Sequence, residues 1–331
     1  MELICPRSPP IYYTVILHSI AVLSMAINGF GIYLIIQHSK INKSKYRLCQ
    51  LYFLITTMCV EVYMSLIAPG YYYFPMLGGF DSSSITVNLF PPELSTLFYF
   101  FFFCFELPAL ISCFQFRNDA ASDLSPRLKV PKSINYFMNF LAHCFPFLVA
   151  GCFHNGTLSK HQQYLILLQK FPKCLHILDI PGSIVYEYEN NLWLIIAGML
   201  PPLFICIFAI FGIFLTGHTI YILQKMRKFM SASTFKLHKT ALITLVLQCF
   251  IPFSCVGIPL IIIFTVILNN YVEYQELATD TMILISTHSM VSTIVMIASN
   301  SHFMEKVREI LEFFKKSTPK ISSIVERTIQ I

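Results

Sequence analysis

Two acids interrupt long apolar runs of the chain, Glu61 and Glu106. An ionisable side chain at the centre of a bilayer costs about 2.5–3.5 kcal/mol on insertion scales, so an acid kept there is neutral, paired or put to use. Protonation or pairing with a histidine such as His18, His143 or His288 answers that cost. The chemistry open to Glu61 is that of a buried switch or a polar tie between helices, with direct ligand contact as the alternative. Glu106 is expected in the inner half of its run and farther from a ligand. Asn28 and Gln248 add amides that hydrogen-bond across helices, each contact contributing about 0.6 kcal/mol.

Other chemistries lack their motifs. There is no Gly-x-Ser-x-Gly, no His-Glu-x-x-His, no phosphate loop and no Cys-x-x-Cys, and His154 with His161 has no third metal ligand beside it. Neither an enzyme nor a cofactor is expected. Of the 11 cysteines, most fall in apolar runs and act as small hydrophobes. Cys5 and Cys174 flank such runs on one predicted side, where a bridge between them is expected, with Cys152 as the competing partner.

The elements that must hold these groups follow from composition. Among 331 residues, 56% are hydrophobic and 12% charged, against about 25% charged in a soluble domain, so lipid is the solvent for most of the chain. A bilayer core takes about 20 apolar residues per helix. Seven segments reach that length: 11–37, 48–69, 94–116, 134–153, 192–223, 240–268 and 281–298. The fold class is therefore all-α, a seven-transmembrane bundle over 1–300 followed by a tail over 301–331. The fourth segment is diluted by Asn135, Asn139, His143 and Pro146, which must face other helices. The first ten residues lack the basic start and cleavage site of a secretory signal, so the first helix is expected to stay as a signal anchor.

Charge sets the orientation. Of the 23 Lys and Arg, 19 fall in residues 38–47, 115–133, 224–240 and 301–331, and the other four on the opposite side. The positive-inside bias puts the first group in the cytoplasm and the amino terminus outside. The formal charge of +6 thus belongs to membrane-flanking loops, not to a nucleic-acid surface. Of two glycosylation sequons, Asn155 then lies outside and Asn42 inside, so Asn155 alone is expected to carry glycan.

The long outer loop holds a short apolar stretch, 164–168, expected to pack as a lid. The tail over 304–316 alternates Val307, Ile310, Leu311 and Phe314 with Lys306, Arg308, Lys315 and Lys316, which reads as an amphipathic helix on the inner leaflet. Pro201, Pro202, Pro252 and Pro259 are expected to kink the fifth and sixth spans. The aromatic run over 98–105 covers every helix face and singles out no ligand contact.

Ile11-Tyr12-Tyr13, Leu17-His18-Ser19-Ile20 and Asn28-Gly29-Phe30-Gly31 open the first span, and Phe74-Pro75-Met76-Leu77-Gly78-Gly79-Phe80 follows the second. His238-Lys239-Thr240-Ala241-Leu242 with Gln248 and Ile251-Pro252 marks the sixth, and Ser286-Thr287-His288-Ser289 the seventh. In this order the segments resemble the nematode serpentine chemoreceptors, class I or the similar class H, nearly end to end.

The resemblance implies a G-protein-coupled receptor for environmental small molecules in the plasma membrane of sensory cilia. It gives Glu61 a switching role and the basic segment with Lys225, Lys228, Lys236 and Lys239 the contact with a heterotrimeric G protein. The ligand is expected in the outer half of the bundle among spans 3, 5, 6 and 7. Whether the receptor pairs as a dimer stays open.

The chain departs from the family at Ala298-Ser299-Asn300-Ser301-His302-Phe303, where members often carry a Pro-Tyr-Arg-like element. After the third span, Gln115-Phe116-Arg117-Asn118 stands where rhodopsin-like receptors carry an acidic-Arg-aromatic triplet, with Arg117 as the substitute G-protein contact. The competing classes are a ligand-gated channel, disfavoured by the charge-set orientation, and a transporter, disfavoured by the lack of two similar halves.

Overall fold

The computed structural model describes residues 3–38 and 44–317. The Asn42 sequon and the tail past Ser317 lie outside the described residues. Backbone groups in hydrocarbon must be satisfied within their own segment, and helices do this. Span 1 is α1 (Ile11–His38), and span 2 is α2 (Ser44–Val62) closed by a π-turn over Tyr63–Ile67. A short α3 (Ser84–Leu89) precedes span 3, built from α4 (Pro92–Cys104) and α5 (Glu106–Ser122). Span 4 is α6 (Lys132–Asn155); α7 (Lys160–Lys170) follows in the loop, and span 5 is α8 (Leu192–Met226). Span 6 joins α9 (Ala232–Pro252) to α10 (Ile258–Leu268) through a π-turn at Phe253–Gly257. Span 7 is α11 (Gln275–Ile285) with α12 (His288–Ser299), and α13 (Ser301–Ser317) leaves its end.

Six of these stretches are long and apolar enough to cross a bilayer singly, and the pair from Val272 to Ser299, bent by 42°, makes the seventh. Helices outrun the apolar segments that mark them: span 3 reaches Ser122 and span 5 Phe229, because backbone bonding continues into the polar zone where apolarity stops. Large exposed side chains such as Ile210, Ile213 and Phe140 form the lipid-facing surface.

Local chemistry explains where helices break. Pro108 has no N–H for the carbonyl of Cys104 and its ring crowds that carbonyl, which is where α4 gives way to α5. In span 7 no proline is needed. The hydroxyls of Ser286 and Thr287 bond the carbonyls of Ile283 and Leu284 at 2.7 and 2.8 Å, and Nδ1 of His288 bonds that of Ile285 at 2.6 Å. Three consecutive side chains thus compete for carbonyls that helix N–H groups would take, and the helix bends. Span 6 breaks at a π-turn directly after Pro252, with Pro259 in the first turn of α10. At Pro201 and Pro202 the backbone stays helical, and α8 continues through both as one helix of 35 residues. Neighbouring helices and hydrocarbon leave its backbone no better partner than itself.

The end of the bundle that carries the amino terminus has a cap that the purely helical expectation omitted. Strands β1 (Gly70–Tyr72), β2 (Gly78–Asp81) and β3 (Ser183–Val185) form an antiparallel sheet in that order, with Tyr71 opposite Phe80 and Gly79 opposite Ile184. Gly79 is required there, because a Cβ at this position would run into the carbonyl oxygen of Tyr71. Ser159 and Gln162 form a capping box that starts α7. Leu167 is fully buried with Tyr73, Phe80, Ile177 and Val185. Within the stretch 164–168, expected to pack as a lid, Leu167 faces the cap while Tyr164, Leu165 and Leu168 are on the exposed face of α7, because a helix presents Leu167 and Gln163 to the cap from the opposite side.

Cys5 is bridged to Cys174 with Cα atoms 5.7 Å apart, while Cys152 is a free thiol. Around the bridge, Tyr73 donates to the carbonyl of Pro6 at 2.6 Å and Nε2 of His176 bonds that of Cys5 at 2.7 Å. Gln275 exchanges two bonds with the backbone of Ile4, at 3.1 and 2.5 Å. Asp81 accepts bonds from the backbone N–H of Ser83 at 3.0 Å, from the hydroxyl of Ser95 at 3.1 Å and from Thr86. Burial still holds its carboxyl above the usual carboxylate range.

Candidate functional site

Under the cap, the buried polar residues of spans 1, 2, 3 and 7 form one connected region. Ser24 and Asn28 are one helical turn apart on span 1 and face the same way. Ser24 donates to Oε2 of Glu61 at 2.5 Å, and Asn28 donates to Ser24 at 2.8 Å and to Glu61 at 3.4 Å. Asn28 also donates to the Ser289 hydroxyl at 2.9 Å and accepts from Thr293, joining span 1 to span 7. Ser289 donates onward to Thr57 of span 2 at 3.1 Å. Glu61, Asn28, Ser24 and Ser289 are all fully buried. Gly31, one turn past Asn28, lets spans 1 and 7 approach this closely; a Cβ there would lie 2.6 Å from Cγ2 of Thr293.

His288 belongs to the neighbouring part of the region. Its Nε2 is 2.7 Å from Oε1 of Glu106 while Nδ1 faces the carbonyl of Ile285. A carbonyl only accepts, so Nδ1 carries a proton, and the bond to Glu106 needs a second proton shared between the two side chains. Glu106 is the first residue of α5 and His288 the first of α12. The buried pair therefore joins the break in span 3 directly to the bend in span 7. Glu106 lies near the middle of the helical stretch Pro92–Ser122, which extends farther than the apolar run at its inner end.

Above this region is a small, partly open cavity of about 10 Å³, walled by Tyr13 and Leu17 of span 1, Met64 of span 2, Tyr99 of span 3, Met282 of span 7 and Tyr72 of β1. At 1.5 Å per residue, Leu17 stands about 10 Å from Ser24 along the helix. The cavity and the polar region thus share four helices, and the cap closes the top. Tyr13 donates to the carbonyl of Gly70 at 3.0 Å, and Thr279 of span 7 donates to that of Tyr72 at 2.9 Å.

Toward the opposite end, span 3 is tied to spans 4 and 5. Gln115 donates to the carbonyl of Asn135 at 3.0 Å and accepts from Asn139 at 2.5 Å. Asn118 donates to Thr219 at 3.1 Å and bonds the ring of His218 at 2.8 Å. Arg117 between them is buried, 6% exposed, so in this conformation it is not presented at the surface. Lys225, Lys228, Lys236 and Lys239 are exposed around the junction of spans 5 and 6. Gln248 is buried on α9, outside the bonds of the polar region. Asn155 is exposed at the last turn of α6.

The polar region contains residues that sequence reading left aside, namely Ser24, Thr57, Ser289 and Thr293. Their signal was present as small hydroxyl residues at i and i+4 with Asn28 and with one another, inside apolar runs.

The family model described as serpentine type 7TM GPCR chemoreceptor Sri matches residues 3–307. The chain belongs to this Sri chemoreceptor family. Its matched stretch takes in all seven spans, the capping sheet and the first two turns of α13, so the Sri membership covers both the cavity and the polar region. No curated protein matches the chain in sequence. Membership of Sri makes this a multi-pass membrane protein of the chemosensory receptor class, and that class is generally non-enzymatic.

Proposed function

We propose that this Sri receptor faces its cap outward, binds an environmental small molecule beneath it, and passes the signal to a heterotrimeric G protein at the inner ends of spans 5 and 6. The observation that carries the reading is that the cavity walls come from spans 1, 2, 3 and 7, the helices whose buried polar groups interlock directly below. A molecule that parts Tyr99 from Met282 moves span 3 against span 7, and Glu106–His288 lies on that same pair of spans. The pocket keeps spans 3 and 7 of the sequence-based expectation and takes spans 1 and 2 in place of 5 and 6, where the cavity is. At about 10 Å³ the space has room for one water as it stands, so a ligand enters only by parting these walls, whose side chains suit a compact, mostly apolar molecule.

The test is a dose–response with an odorant found by screening the full-length receptor in cells. Met282→Trp fills the cavity and is expected to raise the half-effective concentration by roughly tenfold or more, about 1.4 kcal/mol of lost binding, at unchanged surface level. An unaltered response in both Met282→Trp and Tyr99→Ala would place the ligand elsewhere.

Two further results are expected. Lys236→Ala with Lys239→Ala removes two exposed charges from a segment with five basic residues and no acid. That double variant should lose most G-protein activation, read as second-messenger output, while surface labelling stays at the wild-type level; equal output would remove this segment from the coupling interface. For orientation, glycosylation in microsomes should shift the wild-type chain and the Asn42→Gln variant but not Asn155→Gln, since the charge bias puts the cap end outside. A shift that depends on Asn42 instead would invert the receptor.

A further inference from the structure

A groove of about 370 Å³ runs along the outside of the bundle, between span 1, span 7 and α13. Its walls are Ala26 and Phe30 of span 1, Ile294 and Ala298 of span 7, and Met304 and Val307 of α13. Every one of these side chains is apolar, and none belongs to the cavity or to the polar region. We propose that this groove is a binding site for one acyl chain of a phospholipid from the leaflet on the α13 side.

Position argues for that occupant. Ala26 is near the middle of α1 (Ile11–His38), and α13 follows the end of span 7. The groove therefore starts near the bilayer midplane and ends at the membrane surface, a depth of about 15 Å, which is half the hydrocarbon thickness and the reach of one leaflet's chains. No water is available there to fill it, and its lining is almost wholly apolar, with too little polar surface to hold water. Residues 256–331 hold no cysteine to carry a thioester-linked acyl group, which favours a free membrane lipid as the occupant. At the surface end, Lys306 and Arg308 flank Val307 on α13; Lys306 is paired with Glu309, and the exposed Arg308 offers a cation to a headgroup phosphate.

The site bears on function through the two helices that form it. On span 1, Ser24 and Asn28 face inward to Glu61 and Ser289 while Ala26 and Phe30 face the groove. On span 7, Ser289 and Thr293 face inward while Ile294 and Ala298 face out. A chain seated in the groove packs against the back of the same turns that carry the polar ties. It holds span 7 at the spacing from span 1 that those ties require.

The experiment uses the full-length receptor in proteoliposomes, with fluorescence from one tryptophan. The only native tryptophan, Trp193, is replaced by Phe, and Ile294→Trp or, as a lipid-facing control on span 5, Phe214→Trp is introduced. Phosphatidylcholine brominated on its acyl chain is then titrated into the vesicles. At position 294 quenching is expected to saturate at a several-fold lower fraction of brominated lipid than at position 214, and adding Ala298→Phe should return it to the control curve. Equal curves at 294 and 214 would reduce the groove to ordinary lipid-facing surface and overturn the proposal. Quenching at 294 that ignores brominated phospholipid but responds to a brominated sterol would overturn the acyl-chain assignment. A variant that fails to fold is recognised by loss of the monodisperse peak before reconstitution, and Phe30→Trp, on the span 1 wall of the groove, then replaces Ile294→Trp as the reporter.

Discussion

Replacing His288 with Leu is expected to destabilise the receptor by about 3–5 kcal/mol, the cost of stranding a buried ionisable group whose partner has been removed. The motivating geometry is the 2.7 Å contact of His288 with Glu106, where His288 is fully buried and Glu106 is 8% exposed. Glu106→Gln should cost less than His288→Leu, because the amide N–H can donate to Nε2 while Nδ1–H keeps its bond to Ile285. Removing both partners in Glu106→Leu with His288→Leu strands nothing, so the double variant should lose less than the two single losses added together. Thermal unfolding of the purified receptor measures all three. Strictly additive losses would show that the two side chains are buried beside each other without being coupled. Because the pair joins the break in span 3 to the bend in span 7, variants that still fold should also signal differently without ligand, which second-messenger output reads in the same cells.

The seven spans were legible in the sequence because lipid imposes both length and composition on a crossing helix. The fold class and the amphipathic helix after span 7 follow from the same patterns, though α13 starts at Ser301, three residues before the expected boundary; the family resemblance rests instead on the motif segments of spans 1, 6 and 7 and the loop after span 2. Helix ends and breaks were less legible. Proline coincides with a break in span 6 at Pro252 and with an unbroken helix in span 5, and Pro108 in span 3 is masked by its aromatic surroundings. The bend in span 7 depends on what Ser286, Thr287 and His288 do with three carbonyls, and a serine or threonine in a membrane helix bonds backward as often without bending it, as Ser112 and Thr265 do here.

The candidate site shows the same division. Single polar residues in apolar runs stand out, which is how Glu61, Asn28 and His288 were found. Their partners do not stand out, since Ser24, Ser289 and Thr293 are small hydroxyls of the kind that occurs throughout membrane helices. Pairing is a property of three-dimensional register, and one sequence carries no record of which of three histidines meets which of two acids. The cap was hidden for another reason. β1 and β2 are three and four residues long and are completed by β3, which lies about a hundred residues farther along, so no local pattern announces a sheet.

Opening the Cys5–Cys174 bridge is expected to loosen the cap while leaving the bundle intact. The bridge closes a stretch of 169 residues, for which a free chain would lose about 5 kcal/mol of closure entropy. The spans between already return the chain to the same end of the bundle, so most of that closure is achieved without the bridge. What the bridge alone restrains is the short segment before α1 and the loop from α7 to β3. The bonds from Tyr73, His176 and Gln275 to residues 4–6 retain part of the restraint as well. The expected loss is therefore at the lower end of the usual disulfide range, about 2–3 kcal/mol. In a Cys5→Ser and Cys174→Ser double variant, that amounts to amide exchange about 30- to 150-fold faster over α7 and residues 172–179, at 1.4 kcal/mol per decade. Exchange in α5 and α8 should stay as in the wild type. Unchanged exchange in the cap would show that the side-chain bonds suffice, whereas faster exchange across all seven spans would make the bridge a determinant of the whole fold. Because Tyr72 of β1 closes the cavity, the looser cap should also admit and release ligand faster, and responses of the double variant should decay sooner after ligand is washed away.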